Sequence, residues 1–153
     1  MQKDDPEHEE MAASDLEELI GYNLKRAYII VQNDFREALG ANGLSARVFS
    51  ALSLTVRFPN ITQAELARIL GIERSGLVAI VDELEARGYL QRTSVPGDRR
   101  VQALVPTGEG KDAYDAALER VRTHEAQLFQ GLSRDEVETL VGLLKKIRRA
   151  GEV

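Results

Sequence analysis

The chain has 153 residues, 20 of them basic and 25 acidic, and a formal charge of −5; this length suits one domain or two closely joined halves with a core that needs no staples. It contains no cysteine, which excludes disulfides, zinc–thiolate sites and thiol-based redox sensing. His8 and His124 are its only histidines. A metal site would therefore be built mostly of carboxylates, which suit hard cations better than zinc, and neither a metal nor a cofactor is expected.

No apolar run approaches the roughly 20 residues of a membrane span, and the N-terminal residues are acidic where a signal peptide would be basic, so a cytoplasmic protein without membrane contact is expected. The acidity is concentrated. Residues 1–18 hold Asp4, Asp5, Glu7, Glu9, Glu10, Asp15, Glu17 and Glu18 against Lys3 alone, a net of −7 that leaves the remaining 135 residues at +2. Residues 1–13 hold too few apolar side chains to bury and read as a disordered acidic arm.

From Ser14 to Leu39 the residues Leu16, Leu19, Ile20, Leu24, Ala27, Tyr28, Val31, Phe35 and Leu39 recur at helical spacing, and Ser14 with Glu17 forms a capping-box pattern, predicting one long amphipathic helix. The run Gly40-Ala41-Asn42-Gly43 ends it, and Ser45 is placed to cap a second helix to about Phe58, stopped by Pro59-Asn60. Thr62 and Glu65 make a further capping box opening a short helix to Leu70. Gly71-Ile72 breaks the chain before a helix from about Glu73 to Arg87, whose apolar stripe is Leu77, Ile80, Val81 and Leu84, with Gly88 as its stop.

Residues 89–95 and 101–105 switch to strand-like alternation, separated by the charged turn Pro96-Gly97-Asp98-Arg99-Arg100. Thr107 then starts a long helix to about Phe129, Gly131 breaks it, and Ser133 with Glu136 caps a last helix to Arg149. No internal repeat or low-complexity linker is present.

Two short helices around a tight glycine turn, followed at once by a hairpin with arginines at its tip, form the pattern of a winged helix-turn-helix. Thr62-Gln-Ala-Glu-Leu-Ala, Leu70-Gly-Ile, Val81-Asp-Glu-Leu-Glu-Ala-Arg-Gly-Tyr-Leu, Gly97-Asp-Arg-Arg and Leu104-Val-Pro-Thr-Gly-Glu-Gly together resemble the MarR family, the multiple antibiotic resistance regulators, from about Leu16 to Arg149. The resemblance implies a mostly α fold with a small β-hairpin wing. Under it, 14–58 hold the N-terminal dimerisation helix and a second helix, 62–105 the winged DNA-binding domain, and 107–150 the C-terminal dimerisation helices. It further implies a homodimer on a palindromic double-stranded operator, most often as a repressor.

In that arrangement Arg74, Ser75, Gly76, Val78 and Ala79 sit at the start of the helix that enters the major groove. Arg99 and Arg100 reach phosphates or the minor groove, Asp98 organises the tip by pairing with an arginine, and Gln63 and Arg68 add phosphate contacts. Relatives often carry a polar residue or arginine where this chain has Gly76 and Ala79, and a base where it has Glu83. Members of the family bind small aromatic or anionic effectors between the dimerisation helices and the winged helix, and Tyr22, Arg26, Tyr28, Arg47 and Phe49 offer rings and guanidinium groups of suitable chemistry.

An enzyme is not expected: there is no nucleophile elbow, phosphate-binding glycine loop or metal-ligand cluster. The rival reading is a winged helix used for protein contact rather than DNA, since residues 62–108 carry six acids and six bases.

Overall fold

Side-chain caps set most of the helix starts in the computed structural model, which describes residues 15–152. The acidic arm 1–13 and Ser14 lie outside the described residues. The single long first helix is not formed as expected. Asp15–Glu18 make one 3-10 turn, Leu19 is extended, and helix α1 runs over Ile20–Leu39. The break is held by Asn23, whose side-chain amide donates to the carbonyls of Glu17 at 2.6 Å and Leu19 at 2.9 Å; it satisfies a Glu17 acceptor that a continuous helix would have used itself, while the Leu19 carbonyl keeps its helical bond from the Asn23 backbone N–H at 3.1 Å.

Helix α2 spans Ala46–Arg57 and starts where the Ser45 hydroxyl accepts from the Val48 amide. Asn60, at φ 72°, turns the chain into a strand that was not anticipated, β1, Ile61–Thr62. Two residues are too few to show a period-2 pattern. Thr62 serves twice, as the end of β1 and as the cap of helix α3, Gln63–Leu70. Helix α4 covers Arg74–Ala86, strand β2 Leu90–Val95 and strand β3 Asp98–Pro106. The sheet is antiparallel in the order β1-β3-β2, with Ile61 opposite Leu104 and Leu90 opposite Pro106. Helix α5 spans Gly108–Leu128 behind its Thr107 cap, and α6 spans Arg134–Gly151 behind the Ser133–Glu136 box.

The core lies under the helix-turn-helix. Leu52 of α2, Leu66 of α3, Leu77, Val81 and Leu84 of α4, Leu90 of β2 and Leu104 of β3 are all essentially inaccessible. Thr55, the one buried polar residue in that group, donates its hydroxyl to the Ala51 carbonyl at 2.9 Å, so it adds no unsatisfied group. Helix α1 packs along α5. Helix α6 buries no residue within the chain, and its stripe Val137, Leu140, Val141, Leu144 and Ile147 stays 36–50% exposed.

The start of α5 is pressed onto the root of the wing. The Thr107 hydroxyl donates to the Gly88 carbonyl at 2.6 Å and the Thr107 amide to the Tyr89 carbonyl at 3.0 Å. A side chain at Gly110 would be driven into the Tyr89 backbone. Gly110→Ala should therefore destabilise the fold by about 1–3 kcal/mol, read as a lowered urea midpoint; an unchanged midpoint would contradict this packing.

Both capping boxes titrate. Backbone and hydroxyl hydrogen bonds at Thr62 hold the Glu65 carboxyl below its ordinary value of 4.5, and those at Ser133 do the same for Glu136. A lowered folded-state pKa stabilises the fold at pH values above the ordinary one, and that contribution is lost as pH falls through the lowered value. The Glu65→Gln/Glu136→Gln variant should accordingly lose less melting temperature on acidification from about pH 6 to about pH 3 than the parent protein.

Candidate nucleic-acid interface

Helices α3 and α4 are joined through Gly71 in the left-handed conformation at φ 65°, with the Ile72 amide returning to the Ala67 carbonyl at 3.1 Å, a closure that glycine makes without a Cβ penalty. This holds the two helices close. Because Leu77, Ile80, Val81 and Leu84 anchor α4 from below, Arg74, Ser75, Val78 and Ala79 emerge on its opposite, exposed face, with Gly76 half-buried beside them. No side chain caps α4 at Glu73, so its first amides and positive dipole end are available to an anion such as a phosphate.

The wing differs from the sequence expectation at its tip. The turn is only Pro96-Gly97, with Gly97 at φ 90°, and Asp98, Arg99 and Arg100 already belong to β3. Ser94 pairs with Gln102 but Val95 pairs with Asp98, so Arg99, Arg100 and Val101 form a bulge with no partner on β2. Looping out re-aims the side chains of the bulged strand. Asp98 accepts the Arg100 amide at 3.0 Å and lies 3.7 Å from its Nε, while the Arg100 side chain remains 96% exposed. The carboxylate orders the bulge and leaves the guanidinium free.

A second arginine, not singled out in the sequence, ties the wing to the helices. Arg92 of β2 donates to Asp82 of α4 at 2.5 Å, to Glu85 of α4 at 3.0 Å and to Gln63 of α3 at 3.3 Å, and its amide reaches Glu85 at 3.2 Å. Its side chain is only 20% exposed. Gln63 thus directs its carbonyl oxygen at Arg92 rather than outward, while Arg68 is exposed beside Glu65. The signal was present as two carboxylates three residues apart on α4 and one arginine on a strand beside it. Reading it required knowing that β2 folds back against α4.

Among the described residues, the five of effector-type chemistry are not gathered in the cleft described below or in one another's contacts. Arg26 donates to the Tyr22 hydroxyl at 3.1 Å and lies 5.8 Å from that ring's centroid, a local pair on α1. Tyr28 is 59% exposed. Phe49 is engaged in packing, edge-on to Phe35 at 5.5 Å and 5.6 Å from Tyr114. Arg47 lines a shallow cleft of about 270 Å³ with Ser50, Leu70 and Ile72. Among the described residues no group of three or more His, Cys, Asp or Glu is placed to hold a metal ion, and no helix is long and apolar enough to cross a membrane.

Comparison with known proteins agrees with this geometry. The profile of the MarR family matches residues 42–101. A protein of Thauera aromatica assigned to regulation of the hcr operon is 31% identical over 147 residues, covering 90% of this chain and 89% of that protein. Among solved structures, the transcriptional repressor CouR bound to a 23-mer DNA duplex is similar at 39% identity and a TM-score of 0.84, covering 88% of this chain and 96% of that one. CouR bound to p-coumaroyl-CoA is similar at 37% identity and a TM-score of 0.80, covering 90% and 96%. The chain belongs to the MarR family. It is a MarR-type transcriptional regulator built on a winged helix, and not an enzyme.

The Arg92 clamp sets an expectation for DNA affinity. Arg92→Ala frees the carboxylates of Asp82 and Glu85 and unties the wing, so duplex affinity should fall about tenfold for all sequences alike, with a stability loss of about 1 kcal/mol. Anisotropy titration and urea denaturation read the two effects, and unchanged affinity would remove the clamp from any part in presenting α4.

Proposed function

We propose that two copies of this chain bind a palindromic operator as a homodimer and repress transcription until an aromatic acyl effector releases them. The observation that carries this reading is the uncovered apolar stripe of α6, together with a second exposed apolar set, Leu16, Leu19, Ile20, Leu24 and Tyr28, all at least 36% exposed. Apolar faces of that extent mark an association surface. Two copies joined through them are related by a two-fold axis, and two α4 helices then address half-sites roughly 10 base pairs apart.

On each half-site Arg74, Ser75, Gly76, Val78 and Ala79 face the base edges. Arg74 supplies the guanidinium that pairs with guanine, and the exposed Val78 suits a thymine methyl. Arg99 and Arg100 approach phosphates or a narrow minor groove from the bulge, with Asp98 as their organiser, and Gln63 and Arg68 lie at the phosphate edge. The DNA-bound CouR structure supports the repressor reading, and the p-coumaroyl-CoA complex of CouR supports an aromatic acyl effector, taken as free acid or CoA thioester. Tyr22, Arg26, Tyr28, Arg47 and Phe49 remain proposed contributors to effector binding once the partner copy is in place. A regulator of chromosomal transcription in a bacterium works in the cytoplasm.

The test is a titration against random duplexes at two salt concentrations, with Arg74→Ala and Arg99→Ala/Arg100→Ala in parallel. A palindrome should be enriched. Arg74→Ala should lose about 1–3 kcal/mol of discrimination at one base pair per half-site, and the double variant should bind all duplexes more weakly with a shallower salt dependence. Absence of duplex binding at low salt would favour the protein-contact reading, which the balanced charge of residues 62–108 keeps in play.

The interface has its own test. Leu140→Asp/Leu144→Asp places four charges in the joined α6 stripes of a dimer. It should give a monomer by sedimentation and abolish operator binding, whereas a dimer unaffected by the change would place the interface elsewhere.

A further inference from the structure

Gly76 stands in the first turn of α4, half-buried and outside the set of glycines at positive φ. Glycine in a helix is a poor choice by propensity, because it gives up more backbone freedom on folding than any other residue. Elsewhere the fold supplies a reason for it. Gly71, Gly88 and Gly97 adopt positive φ, and at Gly43 and Gly110 a Cβ would collide with the backbones of Leu39 and Tyr89. Neither reason holds at Gly76, where a Cβ would meet nothing within 4 Å apart from its own helical backbone. We propose that Gly76 is a specificity-determining residue: the methyl group of a thymine fills the space where its side chain would be, and α4 lies too close to that base pair to admit even an alanine.

The surface around Gly76 fits a methyl group better than a polar base edge. Its neighbours on the helix are the residues three and four positions away: the half-buried Ile72, the exposed Glu73 and Ala79, and the buried Ile80. Three of these are apolar, and none has a side chain that donates a hydrogen bond at neutral pH, so the acceptor edge of guanine gains nothing there. Glu73 makes no capping bond of its own, and its carboxylate repels phosphate. A base edge is therefore the group that can approach, and the thymine C5-methyl is the apolar group that the major groove presents.

The helix has no easy way to accommodate a larger residue. Leu77, next in sequence, and Ile80, one turn on, are buried, so α4 cannot roll residue 76 away from the groove without opening the core. An added methyl must instead lift the helix, lengthening the contacts of Arg74, Ser75 and Val78 along with its own. A base pair without the thymine methyl leaves the space at Gly76 empty and forfeits its dispersion contacts. Gly76 thus discriminates by fit in both directions, and the helix propensity given up at that position is the cost of the close approach.

The inference rests on the DNA-binding half of the function proposed above, and its test separates the two. The ligand is the duplex most enriched by the parent protein from a random pool, made with thymine throughout or with uracil, which lacks the methyl, at one thymine of each half-site in turn. Parent and Gly76→Ala proteins are compared by anisotropy titration and thermal denaturation. The melting temperature of Gly76→Ala should rise by about 2 °C, because the helix gains propensity. Its affinity for the enriched duplex should fall about tenfold, with no change for a scrambled duplex. At one position uracil should cost the parent about threefold and restore Gly76→Ala to the parent's affinity for that uracil duplex. A lowered melting temperature, which would mean that the fold itself demands glycine, would overturn the assignment. So would equal affinity of parent and variant for the enriched duplex, or a loss that no uracil replacement relieves. In a parent that enriches a duplex, any of these results removes Gly76 from base readout and leaves operator binding standing. A parent that enriches no duplex overturns the DNA-binding reading and this assignment with it.

Discussion

The contact between the underside of α4 and the small apolar core beneath it is the constraint on which the rest of the molecule depends. Leu77, Val81 and Leu84 meet Leu52, Leu66, Leu90 and Leu104 with essentially no accessible surface left, so α4 cannot rotate without opening voids, which close-packed interiors resist. A fixed rotation of α4 is what makes Arg74, Ser75, Val78 and Ala79 a face rather than a set of scattered positions. The same core includes β2 and β3, so the wing and α4 are registered against each other through shared side chains as well as through the backbone.

Charge refines what packing fixes. Residues 62–108 carry as many acids as bases, a poor balance for a surface that approaches phosphates, yet the distribution is not neutral in space. Asp82 and Glu85 are gathered around Arg92, Asp98 around the Arg100 backbone, Glu65 is held in its capping box and Glu83 lies beside Arg87, so five of the six acids are occupied by internal partners. Arg74 and Arg99 have no acidic partner within 4.0 Å among the described residues, and Arg100 keeps its side chain almost wholly in solvent. The low net charge therefore understates the positive potential at the face that carries α4 and the bulge.

The fold was legible wherever a local rule decides the outcome. Thr62 with Glu65, Ser133 with Glu136, Ser45, and Gly71 in the left-handed region all act through neighbours three or four residues away, and each of those helix starts or stops was readable from sequence. The failures were non-local. Strand β1 exists only because Ile61 finds Leu104, the three-residue bulge only because Val95 pairs with Asp98 rather than Val101, and the Arg92 clamp only because β2 returns over α4. Ahead of α1, the Asn23 side chain diverted the Glu17 carbonyl that the helical pattern had assigned to a continuous helix. Arg74, Ser75, Val78 and Ala79, grouped in the sequence, do lie on one exposed face of α4 with Gly76 half-buried beside them, whereas Gln63, expected at a phosphate, points its carbonyl oxygen at Arg92. The effector set was read from residue chemistry alone. That approach put Phe49, an aromatic packing residue, in the same list as the solvent-facing Tyr28.

The bulge in β3 bears on how such a wing can change over time. Its three residues lie between a ladder that holds from Leu90–Pro106 to Ser94–Gln102 and a turn closed by Val95 and Asp98, so a residue gained or lost there alters only the length of the loop-out. The pairing that carries Leu90 and Leu104 in the core is left in place. The wing tip is thus a buffer against insertions and deletions: its reach and its number of arginines can drift while the register of the sheet stays fixed, and divergence in DNA preference need not pass through an unfolded intermediate sequence.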